Sequence, residues 1–222
     1  MTEVAGPEES SDRLRGPAEA INTGTPSIPR PAASVILLRR GGRHADRELE
    51  VLLLQRSPDA AFMPSVWVFP GGTVDAEDGD GDESFRTCAV RELEEESGIG
   101  LPADEELVLF SRWITPEFVK SRFDAWFYLA LAPAHTPPKA DGVETVGAKW
   151  IAPQVALDAH SAGEMALVFP TIRQLESLAG YATSEEAIAA ARGQAVEPIL
   201  PKVVGTKEDY QVLLPGDPGY PG

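Results

Sequence analysis

The stretch Ser84 to Ser97, SFRTCAVRELEEES, constrains this chain more than any other, because its helical face changes character along its length. At about 100° per residue, Phe85, Cys88 and Ala89 form one apolar stripe. The same stripe, continued, meets Glu92, Glu95 and Glu96 within an arc of about 100°. A helix that starts on the core therefore ends acidic on the same side. Three like charges at that range repel, and burying them unpaired is expensive. A divalent cation resolves the conflict. Oxygen ligands in this number suit Mg2+ or Mn2+, which also bring phosphates with them. Taken alone, the run Glu94-Glu95-Glu96 fits a solvated helix end at least as well.

Charge narrows the partners. The 222 residues carry 35 acidic against 19 basic side chains, a net charge of -16. A nucleic-acid groove needs clustered Lys and Arg, so no nucleic-acid partner is expected. An acidic protein can still take a phosphorylated small molecule if metal ions bridge the anions. No apolar run approaches the roughly 20 residues of a membrane span, and no signal core opens the chain. No membrane association is expected, and a cytoplasmic location is. The single cysteine, Cys88, lies in the helical pattern and reads as packing rather than as a nucleophile.

Residues 1–30 are too poor in large apolar side chains to offset chain entropy and are expected to form a disordered tail. Residues 31–170 make the core, and 171–222 a helical extension with a Pro-rich tail. Strands are expected at Ala33 to Leu38 and Leu49 to Gln55, paired as a hairpin across the Gly41-Gly42 connection. Further strands are expected at Val66 to Phe69, Glu106 to Ile114 and Phe123 to Leu131, and one ending at Trp150-Ile151. Asp75 to Asp82 reads as a polar loop with five acids, followed by the helix, with Asp82 as N-cap and Gly98 as stop. No frame of that loop meets the EF-hand pattern. Later helices are expected at Thr171 to Ala179 and Glu185 to Arg192, capped by Thr171 and Ser184. Strands mixed with helices argue for an α/β sheet packed between helices. The C-terminal region could complete the domain, line a pocket or mediate a homodimer.

Gly72, Glu83 and the run Arg91-Glu92-Leu93-Glu94-Glu95-Glu96-Ser97-Gly98-Ile99 resemble the Nudix box, and Phe69-Pro70-Gly71-Gly72 resembles its lead-in. The box places five residues between its Gly and first Glu, whereas ten separate Gly72 from Glu83. A longer loop costs little closure entropy, so the helix is expected intact. The resemblance implies an α/β/α sandwich around a mixed sheet and Mg2+-dependent hydrolysis of a diphosphate, with Mn2+ as a substitute. It implies metal ligation by Glu92, Glu95, Glu96 and the Gly72 carbonyl. Arg91 would orient a glutamate, and its spacing to Glu95 permits that pairing. Glu83 would support the site. Which of the carboxylates acts as base stays open. The family commonly adds a downstream acid, for which Glu144, six residues before Trp150, is favoured over Glu117.

Arg56-Ser57 and Phe69 to Gly72 also match a coenzyme A-cleaving signature in spacing, with Arg56 as a substrate contact. Ala61 and Ser65 replace its Arg and Gly. Residues 31–171 resemble the peroxisomal coenzyme A diphosphatase-like group and its bacterial relatives. This implies a small-molecule nucleoside diphosphate derivative, with coenzyme A or acyl-coenzyme A first. ADP-ribose, nucleoside diphosphate sugars and dinucleotides are alternatives. A catalytically silent ligand-binding module is the competing class. Trp67, Trp113, Trp126 and Trp150 fit core packing better than base stacking.

Overall fold

The computed structural model describes residues 24–40, 49–60, 62–134, 136–205 and 210–221. Most of the expected tail, the Gly41-Gly42 connection and Ala61 fall outside them. The first strand, β1 (Arg30–Arg40), runs antiparallel to β2 (Leu49–Arg56). Two short strands follow, β3 (Trp67–Val68) and β4 (Gly71–Thr73), the latter paired antiparallel to β1. A single 3-10 turn, Ala76–Asp78, precedes helix α1 (Asp82–Ser97). Then come β5 (Val108–Ile114), β6 (Phe123–Leu131) and β7 (Thr145–Ile151). Helices α2 (Pro153–Ser161), α3 (Phe169–Leu178) and α4 (Ser184–Ala191) come next. The last strands are β8 (Pro198–Ile199), β9 (Lys202–Gly205) and β10 (Tyr210–Leu213).

The main sheet runs β3-β2-β1-β6-β5-β8, with β4 also on β1 and β7 also on β2. The β1–β6 and β5–β8 pairs are parallel and the rest antiparallel, so the sheet is mixed. Strand residues alternate between two cores. Ala33, Val35, Leu37, Leu52 and Leu54 join Cys88, Ala89 and Leu93 of α1 on one face. Ile36, Leu38, Val51 and Leu53 join Ala156, Leu175, Leu178 and Ile188 of α2, α3 and α4 on the other. Burial on both faces explains why β1 and β2 read as continuous apolar runs rather than alternating ones. The result is an α/β/α sandwich.

Helix starts differ from expectation in three places. Gly81, not Asp82, holds the cap position of α1, at φ +71°, and Asp82 is the first helical residue. Thr171 is a buried residue inside α3, whose cap position is Val168, and Pro170 sits at its start where a missing N–H costs nothing. Thr183, not Ser184, caps α4, its Oγ1 accepting from the Glu186 N–H at 3.1 Å. Helix α2 and strand β4 were not expected. No helix among the described residues is long and apolar enough to cross a membrane.

Gly71 is required by close approach. A Cβ there would lie 2.5 Å from the Ala33 carbonyl oxygen and 2.7 Å from the Ser34 Cα, both backbone atoms that cannot swing away. Gly71→Ala should therefore lower the urea-denaturation stability by about 1–3 kcal/mol; an unchanged midpoint would show that β4 does not press on β1 in this way.

Candidate active site

Strand β4 pairs along β1 and delivers Gly71 and Gly72 against the C-terminal half of α1. The Gly71 N–H donates to Glu96 Oε2 at 2.9 Å. Glu96 is 3% exposed, and burial pushes its carboxyl up to about 7 against the opposing pull of that N–H. Beside it, Glu92 packs on Gly72 so closely that a Cβ there would collide with the Glu92 carboxyl. Burial raises the Glu92 carboxyl as well, and the Arg91 guanidinium partly offsets this. The Cys88 thiol donates to the Gly72 carbonyl at 3.6 Å. Burial first, then Asp78 and Glu92, push that thiol up to about 12, so it stays protonated.

Glu144 reaches the same place from the loop ahead of β7. The charge of Glu144 bears on both Glu92 and Glu96. Its position is set by backbone. Asp141 Oδ1 accepts from the N–H groups of Val143, Glu144 and Thr145 at 2.7, 3.0 and 2.9 Å. Burial would raise the Asp141 carboxyl, but these three donors hold it below its usual value of 3.8. The buried Thr145 hydroxyl donates to the Glu96 carbonyl at 3.1 Å, tying the loop to the end of α1. The Glu144 carbonyl accepts from the Ser57 N–H at 2.8 Å. Arg56 next door bears on Glu96 as a favourable charge, its Nε donating to the Phe62 carbonyl at 3.2 Å.

Arg91 is the hub of the remaining charges. Its Nη1 donates to Glu92 at 2.9 Å and Glu95 at 3.1 Å. Its Nε and Nη2 donate to Asp78 Oδ1 and Oδ2, each at 2.9 Å. The expected pairing of Arg91 with Glu95 is present. Glu95 is nonetheless 59% exposed, while the Asp78 side chain is 1% exposed.

The fold thus brings Glu92, Glu96, Glu144, Arg56, Arg91 and Gly72 together, with Glu95 at the rim. Glu83 does not join them: its side chain is 81% exposed and faces Arg86 at 3.9 Å, because it sits in the first turn of α1 about 180° around the helix from Glu92. Glu117 is not among the charges acting most strongly on Glu92 or Glu96. Asp78 and Asp141 went unremarked in the sequence. The Asp141-Gly142 pair is a turn signal that pointed to the second. The tryptophans pack as expected, Trp126 stacked on Phe85 at 4.4 Å and Trp113 edge-on to Phe169 at 6.0 Å.

Among the described residues, no three Asp, Glu, His or Cys side chains converge on one point as they stand. The donor chemistry nevertheless fits a divalent cation. Six carboxylates (Asp75, Asp78, Glu92, Glu95, Glu96 and Glu144) face two guanidinium groups, Arg56 and Arg91, which leaves four negative charges in excess when all are ionised. Glu92, Glu95, Glu96 and Glu144, together with the Gly72 carbonyl, are the groups that could hold one.

The NUDIX domain family matches residues 28–171, and the chain belongs to that family. It is a hydrolase of acid anhydrides that acts on diphosphate linkages. A Caenorhabditis elegans protein named nudix hydrolase 7 is 30% identical, over 86% of this chain and 74% of its own. The human acyl-coenzyme A diphosphatase NUDT19 is 25% identical, over 77% of this chain and 72% of its own. A NUDIX hydrolase from Alicyclobacillus acidocaldarius superposes with a TM-score of 0.65 at 23% identity, covering 73% of this chain and 96% of that one, which shows the shared fold.

Two substitutions probe this geometry. Gly72→Ala should leave the denaturation midpoint nearly unchanged, since the Glu92 side chain can move, yet reduce diphosphate hydrolysis by roughly tenfold or more through that displacement. Retained activity would sever Gly72 from Glu92. Asp141→Ala should lower stability at neutral pH. Because the folded Asp141 carboxyl is depressed, its contribution is full above the unfolded value near 3.9 and fades as pH falls through the lower folded one. The gap between wild type and variant should therefore close only in acid below about pH 4. A gap that closes on the alkaline side would contradict this account.

Proposed function

We propose that the chain is a divalent-cation-dependent diphosphatase acting on a nucleoside diphosphate derivative, with coenzyme A or acyl-coenzyme A as its substrate class. The observation that supports this reading is the pair of desolvated helix carboxylates, Glu92 packed on Gly72 and Glu96 bound by the Gly71 N–H, on both of which the Glu144 charge bears, with too little positive charge nearby to balance them. A structural ion-pair network has no use for such an excess. A site built to share a cation with a phosphorylated ligand does.

Mg2+, or Mn2+ in its place, would be held by Glu92, Glu95, Glu96 and the Gly72 carbonyl, and supplies a more acidic water and neutralisation of phosphate charge. The protein does the rest. Arg91 holds Glu92 and Glu95 in place through Nη1. The Gly71 N–H fixes the rotamer of Glu96. Glu144, or Glu92 or Glu95, takes the proton of the attacking water, a contribution of about 10²–10⁴-fold. Arg56, the residue before Ser57, whose N–H donates to the Glu144 carbonyl, would bind a substrate phosphate. The coenzyme A assignment draws on Arg56-Ser57 and on the activity named for the human relative.

A mass-spectrometric screen of coenzyme A, acyl-coenzyme A, NADH, ADP-ribose and nucleoside triphosphates with Mg2+ and with Mn2+ tests both parts. Cleavage of coenzyme A compounds into two phosphate-bearing products is expected, with none in EDTA. Turnover restricted to ADP-ribose or dinucleotides would replace the substrate class, and binding without turnover of any compound would point to a silent ligand-binding module. Glu92→Gln and Glu96→Gln should each lower kcat at least ~100-fold with the fold intact; near-normal activity in both would overturn the site.

A further inference from the structure

We infer that Asp78, in the acidic loop ahead of α1, is the positioning residue that fixes Arg91 and through it Glu92 and Glu95, the supporting place that the box resemblance gave to Glu83. The inference rests on Glu92 and Glu95 being working carboxylates. Its first support is geometric. Asp78 meets the Arg91 fork with both oxygens, Oδ1 to Nε and Oδ2 to Nη2, each at 2.9 Å. Paired bonds of this kind fix a guanidinium plane, which a single contact does not. They leave Nη1 free to face Glu92 and Glu95, and Nη2 also reaches the Thr73 carbonyl at 3.3 Å.

The second support is how firmly Asp78 itself is held. Its Oδ2 accepts from the Asp75 N–H at 2.8 Å, and its own N–H donates to the Asp75 carbonyl at 3.0 Å, which closes the 3-10 turn Ala76–Asp78. Gly79 and Gly81, at φ +89° and +71°, let the chain leave this turn and enter α1 directly. With its side chain 1% exposed, Asp78 has a buried charge, and among the described residues Arg91 pairs with it. Glu83, 81% exposed, is out of reach of this role.

The third support is spacing. Five residues, Thr73 to Glu77, separate Gly72 from Asp78, the interval that the box places before its first acid. The five extra residues then fall at Gly79 to Glu83, after the acid and before most of the helix. The insertion lengthens the entry to α1 and leaves the Gly72-to-acid segment at its ordinary length.

The test uses the full chain and two independent readouts. In 15N–1H spectra the Arg91 Nε–H signal, assigned by its loss in Arg91→Lys, should be exchange-protected in wild type and in Glu83→Gln, and lost or broadened in Asp78→Asn. With the diphosphate found in the screen, Asp78→Asn should lower kcat by ~10–100-fold with KM changed less than ~3-fold, Asp78→Glu should recover part of that loss, and Glu83→Gln should stay within ~3-fold of wild type. An equally protected Arg91 signal in Asp78→Asn, or equal kcat losses in Asp78→Asn and Glu83→Gln, overturns the assignment. Should Asp78→Asn fail to fold, Arg91→Lys decides the kinetic arm: it keeps the charge but not the fork, and full activity in it would refute a clamp. A screen with no turnover at all would remove the hydrolase reading and leave the spectra to settle the Asp78–Arg91 pair.

Discussion

The hydrogen bond from the Gly71 N–H to Glu96 joins two layers of the molecule. It runs from a strand paired on the sheet to a carboxylate on the helix packed above. A buried carboxylate is costly unless its oxygens find donors, and here the sheet supplies one from its backbone. Two glycines allow that seam. It requires glycine at 71, because the strand must lie close to β1, and glycine at 72, because Glu92 fills the space a side chain would take. It also fixes which turn of α1 faces the strand, and so which carboxylates crowd together.

The two faces of the sheet divide the labour. The face under α2, α3 and α4 is apolar, held by Leu175, Leu178 and Ile188 against Ile36 and Leu53. The face under α1 begins the same way, with Cys88, Ala89 and Leu93, and then gives over to charge. A helix with one apolar end and one acidic end is thus anchored by the first while it presents the second. The anchoring half is what lets like charges stay at close range in the other.

Much of this was legible in the sequence. The helical period from Ser84 to Ser97 gave the α1 face, and the runs at 33–38, 49–55 and 123–131 gave the strands of the sheet. Residues that act through local spacing were readable, such as Arg91 with Glu95. Those that act through tertiary approach were not. Asp78 is one of five acids in a short loop, and nothing local distinguishes the one that turns inward from the four beside it. Glu83 looked like the supporting acid because it precedes Arg91 by the expected count, yet the turn of the helix points it outward. Helix α2 was missed because its start carries no capping side chain, only Pro153 after Ala152. At α4 two adjacent hydroxyl residues offered themselves as caps, and only the backbone of Thr183, extended at ψ 158°, allows the bond.

The bond between the Ser57 N–H and the Glu144 carbonyl has a mechanical meaning. It hinges the segment after β2, which carries Arg56, to the segment before β7, which carries Glu144. The second segment is already riveted to α1 by Thr145 and braced by Asp141. A ligand that tugs on the arginine therefore pulls against the same strut that sets the distance between Glu144 and the helix. On the proposed roles of Arg56 and Glu144, recognition at one end and reactivity at the other share a single joint, so a poorly seated ligand would be felt as a misplaced carboxylate.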